Sequence, residues 1–240
     1  MNLVLDIGNS LLKAGIFKNN NLINYCEFNQ DYYLNIKSIL DKNPITHSIV
    51  ANVAESKNKL IELLSKKTNL IKFDSSLKVP FKNCYQTKNT LGKDRIALVS
   101  NASKEYPKEN VLLIDLGSCI TFDFLNNKNE YIGGSISPGL RMRYRSLNNF
   151  TANLPLIDPK EIDCFIGKNT EDSIHSGIIN GIISELNSTV DKYKSKYKEI
   201  RIILTGGDSK FLFKKIKNGI FANQKFLIFG LNFLIELNKK

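Results

Sequence analysis

The sequence contains no run of about 18 or more apolar residues, the length a membrane-crossing helix needs, and no charged-then-apolar leader at its start. Together these absences predict a soluble, cytoplasmic protein with no membrane partner. Its four cysteines, Cys26, Cys84, Cys119 and Cys164, never form a Cys-X-X-Cys pair. That argues against a zinc ribbon or a dithiol redox centre and fits reduced thiols. The sequons at Asn149 and Asn187 are then chance matches. Histidine is scarce: His47 and His175 stand without neighbours of metal-ligand or triad type, so acid–base chemistry falls to carboxylates. Arginine is scarce too, with five of the 34 basic residues, which leaves 29 lysines. Because lysine is spread along the chain, the net charge of +11 reads as compositional bias. A nucleic-acid footprint would cluster on one face, so no nucleic-acid partner is expected. Small anionic substrates suit the charge better.

What the sequence does have is length, a hydrophobic fraction and a repeat. Its 240 residues, 42% of them hydrophobic, are enough for two packed α/β domains. The first apolar run, Leu3-Val4-Leu5, ends in Asp6-Ile7-Gly8-Asn9-Ser10. The same pattern returns as Leu112-Leu113-Ile114-Asp115-Leu116-Gly117-Ser118, an offset of 115 − 6 = 109 residues. A buried strand that delivers a carboxylate and a tight glycine turn to its carboxyl end suits metal-bound phosphate. Both copies continue as strand–turn–strand, and a duplicated unit is a stronger signal than either motif within it. The charged, proline-containing stretch from Lys104 to Asn110 predicts the junction, giving domains 1–109 and 110–240.

Between these landmarks the periodicity predicts helices near 34–40, 58–66 and 174–193, strands near 46–53, 70–73 and 200–204, and an apolar terminal helix over 226–235 that faces the core or a dimer partner. Lys13, three residues past Ser10, reads equally as a phosphate contact or an exposed strand lysine. At Leu91-Gly92-Lys93-Asp94-Arg95 a helix starts after a glycine turn. Its acid and arginine read as a capped terminus first and as a base beside an anion-binding cation second. Gly177 and Gly181, four apart, predict close helix packing. Of Arg141, Arg143 and Arg145, only the first and last share a helix face, read first as a solvated or interface one and second as an anion clamp. Thr205-Gly206-Gly207 reads equally as a plain turn or as an approach to a flat ligand.

At these residues the chain resembles the type III pantothenate kinases of the acetate and sugar kinase/Hsp70/actin superfamily. Asp6 to Ser10 resembles the family's Asp-X-Gly-Asn-Thr phosphate motif, and Tyr85 with Gly92-Lys93-Asp94-Arg95 its pantothenate segment. Asp115 to Thr121 resembles its second phosphate loop, Gly133 to Gly139 and Gly167 to Thr170 two further signatures, and Thr205-Gly206-Gly207 its late glycine turn. Ser10 and Ser118 replace threonines while keeping the hydroxyl, and Cys119 replaces an alanine. The resemblance implies an α/β fold of two duplicated ribonuclease-H-like (actin-like ATPase) domains with a cleft between them. It implies ATP-dependent phosphorylation of pantothenate to 4′-phosphopantothenate, the first step of coenzyme A synthesis, by a homodimer. It further implies Asp94 as catalytic base and Tyr85, Gly92, Lys93, Asp94, Arg95 and Thr170 around pantothenate. ATP and its Mg²⁺ would lie against Asp6, Ile7, Gly8, Asn9, Ser10, Leu11, Leu12, Lys13 and Ser118, and a monovalent cation, K⁺ or NH₄⁺, against Asp115. Two alternatives stay open: a kinase of the same fold for another small hydroxyl compound, and a catalytically silent binding or regulatory relative.

Overall fold

Apolar runs bounded by glycine and asparagine form strands in a computed structural model that describes residues 1–8, 11–51, 58–213, 216, 220–221 and 224–239. The chain divides into two compact units, Met1–Pro107 together with residues from Lys225 onward, and Lys108–Gln224. Among the described residues no helix is long and apolar enough to cross a membrane.

In the first unit β1 (Asn2–Ile7), β2 (Leu12–Lys18) and β3 (Asn21–Phe28) form an antiparallel meander. After α1 (Tyr32–Lys42), β4 (His47–Ala51) runs parallel to β1; after α2 (Asn58–Lys67), β5 (Asn69–Ile71) runs parallel to β4. The strand order is β3-β2-β1-β4-β5. Strand alternation sends Leu3, Leu5, Ile7 and Leu12 to one face, where they meet Ile36 of α1 and Leu60 and Leu64 of α2. Two further elements follow, β6 (Lys82–Asn83) and α3 (Lys93–Glu105), and Ala97 of α3 packs on Val4, Phe17 and Ile49 of the opposite face.

The second unit repeats this plan. β7 (Asn110–Leu116), β8 (Cys119–Leu125) and β9 (Glu130–Pro138) form an antiparallel meander. α4 (Leu140–Phe150) and α5 (Thr170–Lys196) precede β10 (Ile200–Thr205), which is parallel to β7. α6 (Ser209–Leu212) leads to β11 (Ile220–Phe221), parallel to β10. The order β9-β8-β7-β10-β11 matches that of the first unit, so the repeat in the sequence is a duplication of fold. Leu112, Ile114, Leu116, Ile120 and Phe122 form one core with α4 and α5.

The last helix, α7 (Phe226–Asn238), departs from expectation. A boundary at 109/110 puts it in the second domain, yet it lies in the first unit. The reason is packing. Ile228, Leu231, Leu234 and Ile235 cover the β1–β4 face beside α3. Gly230 lets the two helices touch backbone to backbone, since a Cβ there would overlap the Ala97 carbonyl oxygen. The Asn2 side-chain Nδ2 donates to Asn232 Oδ1 at 2.7 Å and to Glu236 Oε1 at 2.6 Å, tying α7 to the start of β1.

One smaller expectation also changes, and two contacts are added to the second unit. The His175 Nδ1 shares a 2.7 Å hydrogen bond with the buried Tyr144 hydroxyl across α4 and α5. Gly177 and Gly181 pack on nothing: a Cβ on either would find open space within 4 Å. The start of α5 is capped by Asn169, whose Oδ1 accepts from the Asp172 amide at 2.8 Å while its Nδ2 donates to Asp172 Oδ2 at 2.7 Å.

Candidate functional site

The two glycine turns are similar in plan and unequal in length. Asp6 lies opposite Lys13 and Asp115 lies opposite Thr121, so the offset of 109 on β1 and β7 becomes 121 − 13 = 108 on β2 and β8. The second turn is one residue shorter. The Gly8 amide donates to the Leu11 carbonyl oxygen at 2.9 Å, and the Gly117 amide to that of Cys119 at 3.1 Å.

In the first unit, Asp6 is buried at the carboxyl end of β1. Ile7 and Leu12 send their side chains into the core, so only their backbones face the turn, while Leu11 is partly exposed. Asn9 and Ser10 lie outside the described residues. Lys13 is half-buried and sits across from Asp6 on one side and Glu27 on the other, making a row of alternating charge over three strands. The Tyr25 hydroxyl donates to Glu27 Oε1 at 2.5 Å, and the Lys225 ammonium lies 4.8 Å from the Tyr25 ring centre. Burial pushes the Tyr25 hydroxyl far up, reinforced by the Glu27 bond and the Glu27 and Asp6 charges, so it stays protonated.

Glu27 and Tyr25 escape a reading of the sequence because a bulge decides their place. The β2–β3 hairpin turns through Asn19 and Asn20, both with positive φ, and pairs Lys18 with Asn21. Counting back without interruption would bring Cys26 opposite Lys13. The register shift between Ile16 and Phe17 brings Glu27 there instead.

α3 gathers the second group. Gly92 is its N-cap and Asp94 lies in its first turn. Asp94 Oδ1 accepts from the Arg95 amide at 2.9 Å and occupies the space that a Cβ on Gly92 would need, and no side chain caps the helix. Arg95 is only 4% exposed, and its guanidinium carbon lies 5.6 Å from the Tyr85 ring centre. Tyr85, Gly92, Asp94 and Arg95 are therefore neighbours. Lys93 points elsewhere, over the Phe73 ring at 5.9 Å.

In the second unit, Asp115 is half-buried at the end of β7, with Thr121 and Thr205 as register neighbours. Gly206, at φ 97°, comes so near that a Cβ would lie 2.5 Å from Asp115 Oδ1 and from the Leu116 amide nitrogen. Only glycine leaves that space beside the carboxylate. Three bonds clasp the turn: Gly117 amide to the Cys119 carbonyl oxygen, Gly139 amide to that of Ser118, and Asp208 amide to that of Leu116. Ser118 is exposed at its tip. Thr170, also exposed, begins α5 and lines an open cavity of about 600 Å³ with Gly167, Lys168, Asn169, Leu147 and Leu154.

The family model for type III pantothenate kinase matches residues 2–192. The chain belongs to the type III pantothenate kinase family. A type III pantothenate kinase of Christiangramia forsetii is 49% identical over 241 aligned residues, covering 100% of this chain and 99% of the relative. Among solved structures, a Campylobacter jejuni protein described as a Baf family transcriptional activator superposes with TM-score 0.63 at 24% identity, covering 98% of both chains. An inorganic polyphosphate/ATP-glucomannokinase of an Arthrobacter strain gives TM-score 0.51 at 14% identity, covering 99% of this chain and 98% of that one. At such identities these two likenesses show the fold alone. The chain thus shares its overall fold with both along almost its whole length.

Proposed function

We propose that the protein transfers the γ-phosphoryl group of ATP to the primary hydroxyl of pantothenate, giving ADP and 4′-phosphopantothenate, the first step of coenzyme A synthesis. The observation that carries this reading is that a chain 49% identical to a type III pantothenate kinase over its full length has four charged groups at the ends of its elements: Asp6 on β1, Asp94 and Arg95 on α3, and Asp115 on β7. A protein without catalysis has no need of all four.

Phosphoryl transfer asks for positioning and charge stabilisation more than covalent chemistry. The pantothenate hydroxyl oxygen bonds to the γ-phosphorus, the bond to the β,γ-bridging oxygen breaks, and the hydroxyl proton passes to Asp94. One oxygen of that carboxylate is already held by the Arg95 amide, which fixes the side chain and leaves the other for the proton. Arg95 binds the anionic end of pantothenate beside Tyr85, with Gly92 shaping the approach, while Lys93, over the Phe73 ring, and Thr170, at its own cavity, are further contacts that the family resemblance implies. The stretch Asp6, Ile7, Gly8, Asn9, Ser10, Leu11, Leu12, Lys13 holds the phosphates, through backbone at Ile7 and Leu12 and through charge at Lys13. Ser118 contacts ATP from the second unit.

The residues present fit the ions implied. Among the described residues no group of three potential ligands is gathered. That suits Mg²⁺, which takes one or two carboxylates and leaves its other positions to water and phosphate oxygens. Asp6 is the carboxylate for it, and the ion would neutralise phosphate charge. Asp115, half-buried at the end of β7, offers the hard carboxylate oxygen that a monovalent cation, K⁺ or NH₄⁺, would take. We further propose a homodimer. Support comes from the second unit, where Phe150 is 87% and Phe165 83% exposed, with Leu156 and Ile166 exposed in the same stretch.

A coupled assay for ADP tests the reading, run with and without pantothenate and with K⁺ or Na⁺. ADP release should require pantothenate and be greater with K⁺. Asp94→Asn should fold normally and lose about 10²–10⁴-fold in kcat. Near-normal turnover in that variant removes Asp94 as base, and ADP release only with another hydroxyl compound replaces the substrate.

A further inference from the structure

The reaction as proposed leaves the three arginines of α4 unused, and they differ in what they do. Arg141 lies 3.6 Å from Asp158 with both side chains well exposed, and Arg145 is on the surface. The Arg143 side chain is only 21% exposed. Its Nε donates to the Pro138 carbonyl oxygen at 2.9 Å, and its Nη2 donates to Ser137 Oγ at 3.0 Å and to the Glu185 carboxylate. One planar guanidinium therefore joins α4, the last two residues of β9 and the middle of α5. Only the rigid fork of arginine offers that set of donors.

The segment it holds is the support of the second glycine turn. Ser137 and Pro138 pair in register with Ile120 and Cys119. The next residue, Gly139, donates its amide to the Ser118 carbonyl oxygen at 3.2 Å. It lies so close that a Cβ on it would overlap the carbonyl oxygens of both Gly117 and Ser118. The turn Gly117–Cys119 thus rests on Ser137–Gly139, and Ser137–Gly139 is braced from behind by Arg143. A three-residue turn has little stiffness of its own, so the brace sets where Ser118 and the Asp115 carboxylate stand.

We infer that Arg143, held by Glu185, is a positioning residue for the nucleotide: it fixes the Asp115–Ser118 turn against ATP without touching substrate. This rests on the proposed reading of that turn as an ATP contact. Pantothenate binding is carried mainly by α3 of the other unit, and Thr170, its proposed contact on α5, takes part in none of the bonds that Arg143 makes.

The test compares Arg143→Met, Arg143→Lys, Glu185→Gln and Ser118→Ala for the KM of ATP, the KM of pantothenate, kcat and melting temperature. The expected result is a KM for ATP raised on the order of tenfold in Arg143→Met, with the KM of pantothenate unchanged. Glu185→Gln and Arg143→Lys should fall between wild type and Arg143→Met, since each keeps part of the brace. Ser118→Ala should weaken ATP as well. If Ser118→Ala weakens ATP and the folded Arg143 and Glu185 variants do not, the brace is refuted and the ATP turn stands. If none of the four changes the KM of ATP, the reading of the turn fails and the inference with it. A lower melting temperature with both KM values unchanged makes Arg143 a stability residue and overturns its positioning role. Should Arg143→Met not fold, the Lys and Gln variants decide between the same outcomes.

Discussion

Replacing Gly230 by alanine puts a methyl group against the backbone of α3. The new Cβ would overlap the Ala97 carbonyl oxygen, and would lie 2.7 Å from the Ala97 carbonyl carbon and 3.3 Å from Asn101 Cβ. A helix backbone cannot swing aside as the end of a side chain can, so α3 and α7 must separate. Overpacking costs about 1–3 kcal/mol, and a backbone obstacle puts this site near the top of that range. Removing glycine from a helix returns about 1 kcal/mol. The net loss is about 2 kcal/mol, which lowers the melting midpoint of a chain this long by roughly 4–8 °C. Gly181→Ala is the control: a Cβ there meets nothing within 4 Å, so only the helix-propensity gain remains. Its midpoint should rise by roughly 2–4 °C. Circular-dichroism melts of the three proteins at one concentration read both shifts. Two shifts of the same sign would refute the reasoning, because the chemical change is identical and only the surroundings differ. Since Asp94 and Arg95 open α3, Gly230→Ala should also raise the KM of pantothenate.

Two further outcomes follow from groups described above. Burial alone would raise the Glu236 carboxyl, but the Lys239 and Asn2 hydrogen bonds and the Lys239 charge outweigh it and hold it below its usual value of 4.5. A lowered carboxylate stabilises the fold above its unfolded value and loses that contribution as pH falls through and below it. Glu236→Gln should therefore be less stable than wild type by about 1 kcal/mol near pH 7, with the gap narrowing in melts taken from pH 5 down to pH 3. For assembly, the double variant Phe150→Asp, Phe165→Asp should give the monomer mass by light scattering, where wild type gives twice that; a wild-type monomer discards the dimer.

Much of the fold is legible in the sequence because two properties repeat there. The apolar runs ending at Asp6 and Asp115 fix the start of each sheet, and the helical periodicity over 58–66 and 174–193 fixes which segments cover it. What stays hidden depends on distance or on count. α7 has the composition of any buried helix, and nothing within 226–238 tells which sheet it covers; Asn2, Asn232 and Glu236 decide it across 230 residues or more of chain. Glu27 reaches Lys13 only because one bulged residue shifts the register. The Tyr144–His175 bond spans 31 residues and two helices, so His175 looks unpaired in one dimension. Arg143 is concealed differently: its two neighbouring arginines share its charge and spacing, and only the position of Ser137 and Glu185 separates a brace from a solvated face.

The place of α7 has a consequence for how the protein comes off the ribosome. Domains as a rule fold in the order in which they are made. Here the order inverts, because residues 108–224 are a continuous unit that is complete before Phe226 has been synthesised. Until α7 emerges, Val4, Phe17 and Ile49 on that face of the sheet have α3 against them but lack Ile228, Leu231, Leu234 and Ile235, and α3 lacks its neighbour. The half of the molecule made first is finished last, and α3, which carries Asp94, gains its neighbour only after the second unit has been made.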